Sequence, residues 1–266
     1  MAHVIGRVEA LWRYPVKSFR GEPIGESAVD ARGLAGDRGW ALRDRANGRV
    51  MSAKRWTTLV ACGARYPDGP EGEPEVTLPD GTTARGAAAT ARLSAWLDHE
   101  VELVRAAPER QEQYEIAIQT VDEIEAGVDP LAIDAGDFPC PPGSFFDAAP
   151  LHLLSDATLA ALAARHPAGR WDVRRFRPNV VIATDGATGT VEEEWVGRMI
   201  EVGEVRIAVL MPTIRCVMTT LPQEELPRDT KILRTVAQEF SGNAGIYAHV
   251  ERGGRIRVGD PIRLAE

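Results

Sequence analysis

An α+β, mostly β chain is what the sequence predicts, arranged as two β-barrel-like lobes with a few attached helices. Three observations carry that prediction. Short apolar segments follow one another, punctuated by 25 glycines and 18 prolines. Helical periodicity is confined to a few stretches. Strand-like and helix-like segments do not alternate one for one, as they would in a parallel doubly wound sheet.

The elements follow in order. Val4, Ile5 and the run Val8 to Leu11 form an opening strand that ends at Pro15. Trp40 and Leu42 face Val50 and Met51 across Asn47-Gly48, a strong hairpin signal. Val76 to Leu78 and Thr82 to Ala84 flank a second such turn at Asp80-Gly81. Ala87 to Leu97 reads as a helix with Leu93, Trp96 and Leu97 on one face. Residues 106–147 are rich in Pro, Gly, Asp and Glu, and FPCPPGSFF (138–146) cannot be a regular helix. This segment is expected to be a long ordered crossing loop, or the seam between the lobes.

Beyond the seam, Ser155 caps a helix running to Arg165. Asn179 to Thr184 is a short buried strand, and Met199 to Val202 pairs with Val205 to Met211 around Gly203. A break is expected at Pro212. Asp229 to Phe240 is a second amphipathic helix, with Ile232, Leu233, Val236 and Phe240 on one side. Strands return at Gly245 to Val250, Arg255 to Val258 and Pro261 to Leu264.

Composition narrows the function classes. With 44% hydrophobic and 26% charged residues the 266-residue chain has ample material for a core. A net charge of -8 argues against a general nucleic-acid binder, which needs a basic surface. A small basic pocket for an anionic ligand is still compatible with it. The most apolar stretch, Ile207 to Ile214, is far short of a membrane span and contains Pro212. The opening MAHVIGRVEALWRYPV lacks the pattern of a signal peptide, so a cytoplasmic location with no membrane association is expected. Cys62, Cys140 and Cys216 are odd in number and far apart, which suits neither a disulfide framework nor a CxxC pair. No GxGxxG or Walker loop, no GxSxG elbow and no histidine pair at metal-ligand spacing is present.

Four short segments hold an unusual mix of basic, hydroxyl and thiol groups: YPVKS (14–18), GLAGDRGW (33–40), RRFRPNVV (174–181) and PTIRCVMTT (212–220). In the last, Cys216 follows Arg215, and a guanidinium beside a cysteine favours the thiolate, a soft metal ligand or sulfur carrier. Thr219 and Thr220 add hydroxyls, and a buried structural cysteine is the plain alternative. Lys17 and Ser18 make either an anion site or a solvated strand end. Gly33 and Gly36 permit positive φ, and Arg38 either grips a phosphate or pairs with Asp37. In an extended backbone, which Pro178 favours at Arg177, Arg175 and Arg177 share one side and Arg174 takes the other. These arginines either bind an anion with Asn179 or blunt a strand edge. Cys62 reads as core, while Cys140, among prolines, lies near a pocket mouth or within the loop. Together the segments suggest one phosphate-bearing ligand close to a thiolate.

In this order, LWRYPVKSFRG, GDRGW, LLSDATL, FRPNVVI, RCVMTT and the final RIRVGDPIRL resemble the MOSC family (molybdenum-cofactor sulfurase C-terminal domain) with its N-terminal β-barrel domain. The similarity runs from about Val4 to Leu264 and is strongest to the amidoxime-reducing branch and its bacterial counterparts. It implies an N-terminal MOSC β-barrel domain over 1–110 and a MOSC domain over 111–266. It implies a molybdenum cofactor (molybdopterin) with Cys216 as the metal ligand. It also implies that Lys17, Ser18, Arg38, Arg177, Asn179 and Thr219 hold the cofactor and that Arg215 lines the same pocket. The activity implied is two-electron reduction of a small N-oxygenated substrate such as an amidoxime. Some bacterial members carry a ferredoxin domain with four clustered cysteines. No such cluster occurs here, so a separate heme or iron–sulfur/flavin electron-donor protein is expected. Two departures bear on substrate range: Asp147-Ala148-Ala149-Pro150 lacks the hydroxyl residues of the family pattern, and Ile214 stands where a serine is expected. Other MOSC proteins suggest an alternative, a sulfur carrier or cofactor-handling protein with a persulfide on Cys216.

Overall fold

The computed structural model describes residues 3–265, which are mostly β with four α-helices among them. The helices are α1 (Gly86–Leu97), α2 (Val121–Glu125), α3 (Asp156–Arg165) and α4 (Thr230–Glu239). At the centre is a closed barrel of seven strands. Taken round the barrel they are Val180–Ala183, Leu151–Ser155, Asn243–Arg252, Val205–Ile214, Met199–Val202, Pro261–Leu264 and His3–Arg13. The circle shuts where His3–Arg13 pairs with Val180–Ala183. Neighbours are antiparallel, apart from Leu151–Ser155 and Val180–Ala183, which run parallel with α3 in their crossover. Val8, Leu11, Leu153, Ile182, Ile200, Ile207, Ile246 and Ile262 fill the interior. The strand that opens the chain is therefore a barrel strand, bonded to two segments more than 160 positions away.

The second lobe is a wrap of two- and three-stranded sheets. Trp40–Asp44 pairs with Val101–Arg105, Gln113–Ile116 with Gly136–Pro139, and Glu75–Thr77 sits between Gly63–Arg65 and Thr83–Ala84. Single bridges join these pieces, among them Val16 to Trp40 and Val50 to Tyr114. Helix α1 buries Ala89 and Leu93 against Phe19, Leu42, Leu59, Val76 and Val101. Val217 and Met218, which follow Cys216, are sunk into this same core.

Local chemistry explains most boundaries. Ser155 caps α3, accepting from the Thr158 backbone N–H at 3.0 Å, and Asp229 caps α4 through Lys231 at 3.0 Å. The turns at Asp80-Gly81 and Gly203 join paired strands as expected. Residues 106–147 hold more order than a loop. The pairing of 113–116 with 136–139 encloses α2, whose Thr120 and Glu123 form a capping box. Its two strands are four residues each and some twenty positions apart, so no local hairpin signal marks them. The expected break at Pro212 does not occur. The strand runs on to Ile214 because register shifts on both sides of Pro212 free it from supplying a ladder N–H.

Glu192 is fully buried and packs against the start of α3, where its carboxyl group accepts from the Thr158 hydroxyl at 2.7 Å, the Ser155 backbone N–H at 3.2 Å and the Ser155 hydroxyl. Truncation would leave these buried donors unpaired. Glu192→Ala is expected to lower unfolding stability by about 3 kcal/mol in urea titrations, against about 0.5 kcal/mol for Glu194→Ala on the exposed side of the same turn.

Candidate active site

Three chain turns meet where the barrel abuts the second lobe: residues 14–18 after the first strand, 36–40 before the strand at Trp40, and 176–179 before the strand at Val180. Tyr14 is the post between them. It is 2% exposed, and its ring is flanked by the guanidinium carbons of Arg177 at 4.3 Å and Arg38 at 4.7 Å. Its hydroxyl donates to the Pro178 carbonyl at 3.2 Å, and its backbone N–H donates to Asp37 Oδ1 at 2.7 Å. A ring face attracts cations, so Tyr14 separates two guanidinium groups that would otherwise only repel.

Around this post lies a cavity of about 380 Å³. Lys17, Ser18, Arg38, Arg177, Asn179, Arg215 and Cys216 all line it. Seven of the eight residues singled out from the sequence thus converge, across 199 positions of chain from Lys17 to Cys216. The exception is Thr219. It is fully buried behind the wall, and its hydroxyl donates to the Cys216 carbonyl at 3.0 Å, so it braces the cysteine turn without facing the cavity.

Each wall residue is held. Lys17 Nζ donates to the Phe145 carbonyl at 2.8 Å, pairs with Asp147 and lies 4.1 Å above the Tyr114 ring. Ser18 accepts from the Ala53 backbone N–H at 2.9 Å. Arg177 donates to the Phe19 carbonyl at 2.6 Å, and Arg215 to the Phe176 carbonyl at 2.6 Å. Arg38 pairs with Asp37 and also faces the cavity, so the two readings of that residue hold together. Asn179 accepts from the His152 backbone N–H at 3.2 Å and donates to the Trp12 carbonyl at 3.3 Å, locking two barrel strands beside the cavity.

Ser18, Arg38 and Arg177 all have left-handed backbones, with φ of 70°, 47° and 58°. Such φ values are uncommon in residues with a side chain, and three on one cavity mark a site held against local preference. For Arg177 this corrects the extended conformation expected before Pro178. Residues 173–175 form a 3₁₀ turn, the Arg177 N–H bonds the Val173 carbonyl, and the chain leaves the turn through the left-handed region. The three arginines consequently go three ways. Arg174 pairs outward with Asp172, Glu224 and Glu225. Arg175 turns into the protein, and Arg177 into the cavity.

Arg175 is a structural residue. It is fully buried and donates to the carbonyls of Arg170 (2.9 Å), Thr219 (3.2 Å), Leu221 (3.3 Å) and Pro227 (2.7 Å), gathering the turn that follows Cys216. Cys62 and Cys140 are fully buried, and burial pushes their thiols up to about 12 and about 11. Cys140 is therefore inside the loop's core and not at the mouth. Cys216 is partly exposed on the cavity wall.

Several wall residues carried no signal of their own. Lys54 sits in SAKRW with nothing in its spacing to distinguish it, yet it pairs with Asp147 at 2.8 Å beside Lys17. Burial works against its charge, but Asp147 and then the Cys216 sulfur hold its pKa above the ordinary lysine value. Burial pulls Lys17 below the ordinary value, with Asp147 opposing. Burial and then Arg38 bring Arg177 down to about 10, which leaves it charged at neutral pH. His152 is buried, and burial followed by Arg215 keeps it uncharged. Its Nε2 and the Arg215 Nε are buried with no partner.

The MOSC domain family matches residues 141–263, and the MOSC N-terminal β-barrel domain family matches residues 5–125. The chain belongs to the MOSC family. Among relatives, mitochondrial amidoxime reducing component 2 of Macaca fascicularis is 26% identical over 97% of this chain and 83% of its own length. Mitochondrial amidoxime-reducing component 1 of Xenopus laevis is 28% identical over 97% and 82%. The YUAD protein of Bacillus subtilis aligns over 99% of this chain and 98% of its own with a TM-score of 0.48 and 13% identity. Membership bears out the resemblance seen in the motifs. Among the described residues no helix is long and apolar enough to cross a membrane.

Two outcomes are expected for this MOSC chain. Arg175→Ala should cost about 3 kcal/mol or more, since four carbonyls and a cavity are left behind, whereas Arg174→Ala should cost about 0–1 kcal/mol; urea midpoints separate them. The second concerns acid. Burial alone would raise the Asp147 pKa, but Lys17 and then Lys54 reverse this and hold it below the ordinary carboxylate range. Stability drawn from Asp147 is therefore present above about pH 4 and is lost as pH falls below it. Stability of Asp147→Asn, followed from pH 6 to pH 3, should fall less steeply than that of the wild type.

Proposed function

We infer that this chain is a molybdenum-cofactor-dependent reductase of N-oxygenated compounds, with the Cys216 thiolate as the protein's ligand to the metal. The observation that carries the reading is the convergence of Lys17, Lys54, Arg38, Arg177 and Arg215 on one cavity with a partly exposed cysteine in its wall. The relatives' amidoxime-reducing names supply the reaction class.

The residues fit such a cofactor in three respects. Five cations line the cavity against one carboxylate, Asp147, with Asp37 buried behind Arg38, which suits a phosphate dianion. Arg215 and His152 line the cavity, and their buried Nε and Nε2 atoms lack partners that a bound ligand would supply. Among the described residues no three His, Cys, Asp or Glu side chains are grouped to hold a bare ion, so a metal here must bring most of its own ligands. A single soft thiolate then completes the set.

When bound, the cofactor supplies a metal able to accept an oxygen atom and relay two electrons. The chain's own residues provide placement. Lys17, Lys54, Arg38 and Arg177 would hold the phosphate and ring, with Ser18 and Asn179 fixing the backbone around them. Thr219 and Arg175 brace the turn that presents Cys216. Uncharged His152 lines the wall without adding to the positive charge. Electrons would come from a separate donor protein of the heme or iron–sulfur/flavin class.

The test is elemental analysis with turnover. Expressed in a host that makes the cofactor, the chain should carry about one molybdenum and reduce benzamidoxime with an artificial electron donor. Cys216→Ser, nearly isosteric, should keep the wild-type urea midpoint but lose metal and activity together. Activity retained in that variant would remove Cys216 from the mechanism. A chain free of metal that gains one sulfur atom on Cys216 from a cysteine desulfurase would instead mark a sulfur carrier.

A further inference from the structure

The chain's excess negative charge is gathered in one segment. Residues 106–147 hold ten of the 39 acidic residues but one of the 31 lysines and arginines, an excess larger than the whole chain's net charge of -8. Within this segment, the excursion 117–135 that contains α2 carries Asp122, Glu123, Glu125, Asp129 and Asp134 and no cation. Part of that charge is answered from outside. Arg234 of α4 pairs with both Asp122 and Glu125, and Lys231 lies near the second. Arg55 and Arg228 donate to the carbonyls of Ile133 at 2.6 Å and Ile124 at 3.1 Å, and Arg55 is itself paired with Glu115. Glu123 accepts from Thr120 and Asp129 from the Leu131 N–H, and neither they nor Asp134 has a cationic partner among the described residues.

Apolar side chains stand among these carboxylates. Ile118, Val128 and Leu131 are 70%, 38% and 43% exposed. Gln119 Nε2 donates to the Val128 carbonyl at 2.9 Å, which draws the first two together, and Asp129 caps the 3₁₀ turn that carries Leu131. Exposed apolar side chains bordered by one sign of charge are the anatomy of a docking face. None of the three lines the cavity. The excursion nevertheless reaches the cysteine turn through the core: Ile124 of α2 is buried in the same cluster as Val217 and Met218, against which Cys216 packs.

We propose that the excursion 117–135 is the docking surface for the electron-donor protein, and that this donor carries a collar of lysine and arginine around the exposed, apolar edge of its redox group. The proposal rests on the reductase reading and adds the partner's surface. Opposite charge steers such a donor to the excursion and orients it, while Ile118, Val128 and Leu131 close against its apolar centre. A donor with an acidic face meets unpaired carboxylates and is turned away. Because the apolar trio lies outside the cavity lining, donor and substrate have separate places on the chain.

Calorimetric titration at low salt reads docking without turnover. Two probes separate the charge types: mitochondrial cytochrome c, whose heme edge is ringed by lysines, and a plant-type ferredoxin, whose face is acidic. Cytochrome c should bind about tenfold more tightly than ferredoxin, and added salt should weaken it. The triple variant Glu123→Gln/Asp129→Asn/Asp134→Asn should weaken cytochrome c binding about tenfold, and Ile118→Ser/Leu131→Ser about threefold. The amides can still accept the capping bonds and the apolar positions are exposed, so urea midpoints should stay at the wild-type value. Glu9→Gln/Glu100→Gln/Glu194→Gln removes the same charge from exposed positions elsewhere and should leave binding within about twofold of the wild type. Electron passage is read separately. The loaded chain, reduced with dithionite, should reduce ferric cytochrome c, one electron to each heme and two from each chain. The triple variant should slow this transfer about tenfold while benzamidoxime reduction driven by dithionite is unchanged.

Ferredoxin binding as tightly as cytochrome c, or a control triple that weakens binding as much as the excursion triple, overturns the proposal. Electron transfer to cytochrome c that is absent, or indifferent to the excursion variants, also overturns it. The expected binding and transfer in a chain that reduces no N-oxygenated compound overturns the reductase reading alone. A chain purified without molybdenum is judged by the titrations, where the same two binding results overturn the proposal.

Discussion

Five cationic side chains share one small cavity, and the surrounding structure is organised by the need to hold them there. Repulsion at such range in a partly dry site is strong, and every cation is answered. The Tyr14 ring stands between Arg38 and Arg177. Asp147 bridges two lysines, and backbone carbonyls from Phe19, Phe145 and Phe176 receive donors of Arg177, Lys17 and Arg215. Even the backbone is committed, since Ser18, Arg38 and Arg177 take left-handed conformations that the neighbouring contacts must maintain. The arrangement is preorganised for an anion, because the charge has been gathered before any ligand arrives.

The cysteine occupies an equally constrained place. The strand before it belongs to the barrel, and the turn after it is anchored in the core of the other lobe through Val217 and Met218. Cys216 is thus fixed from both sides. Thr219 holds its carbonyl, and Arg175 ties the same turn to residues 170 and 227. Two residues that never face the cavity thereby set where the sulfur sits.

Much of this was legible in the sequence, for physical reasons that differ from place to place. Helices α3 and α4 were readable because their caps and apolar faces are local, and so were the turns at Asp80-Gly81 and Gly203. The site motifs were readable because they concentrate unusual chemistry in short segments. What stayed hidden depends on distant partners. Nothing near Lys54 announces that Asp147 will meet it. Nothing in RRFR says which arginine turns inward, because that is decided by the carbonyls at 219, 221 and 227 and by the ring of Tyr14. The left-handed backbone of Arg177 escaped because a residue before proline is ordinarily extended, and the 3₁₀ turn at 173–175 overrides that preference. Pro212 passed through a strand because bulges, which sequence does not display, removed the need for its N–H.

The closure of the barrel has a consequence for how the protein is made. Strand His3–Arg13 leaves the ribosome long before Pro261–Leu264, to which it bonds on one side. Until residues 261–264 emerge, residues 3–7 have no partner on that side, and the apolar interior they cover stays open. A fold with such long-range pairing is slow to nucleate, and its half-built forms are prone to sticking. Shielding the chain until those last residues have emerged would keep the open edge and the uncovered interior from meeting other surfaces.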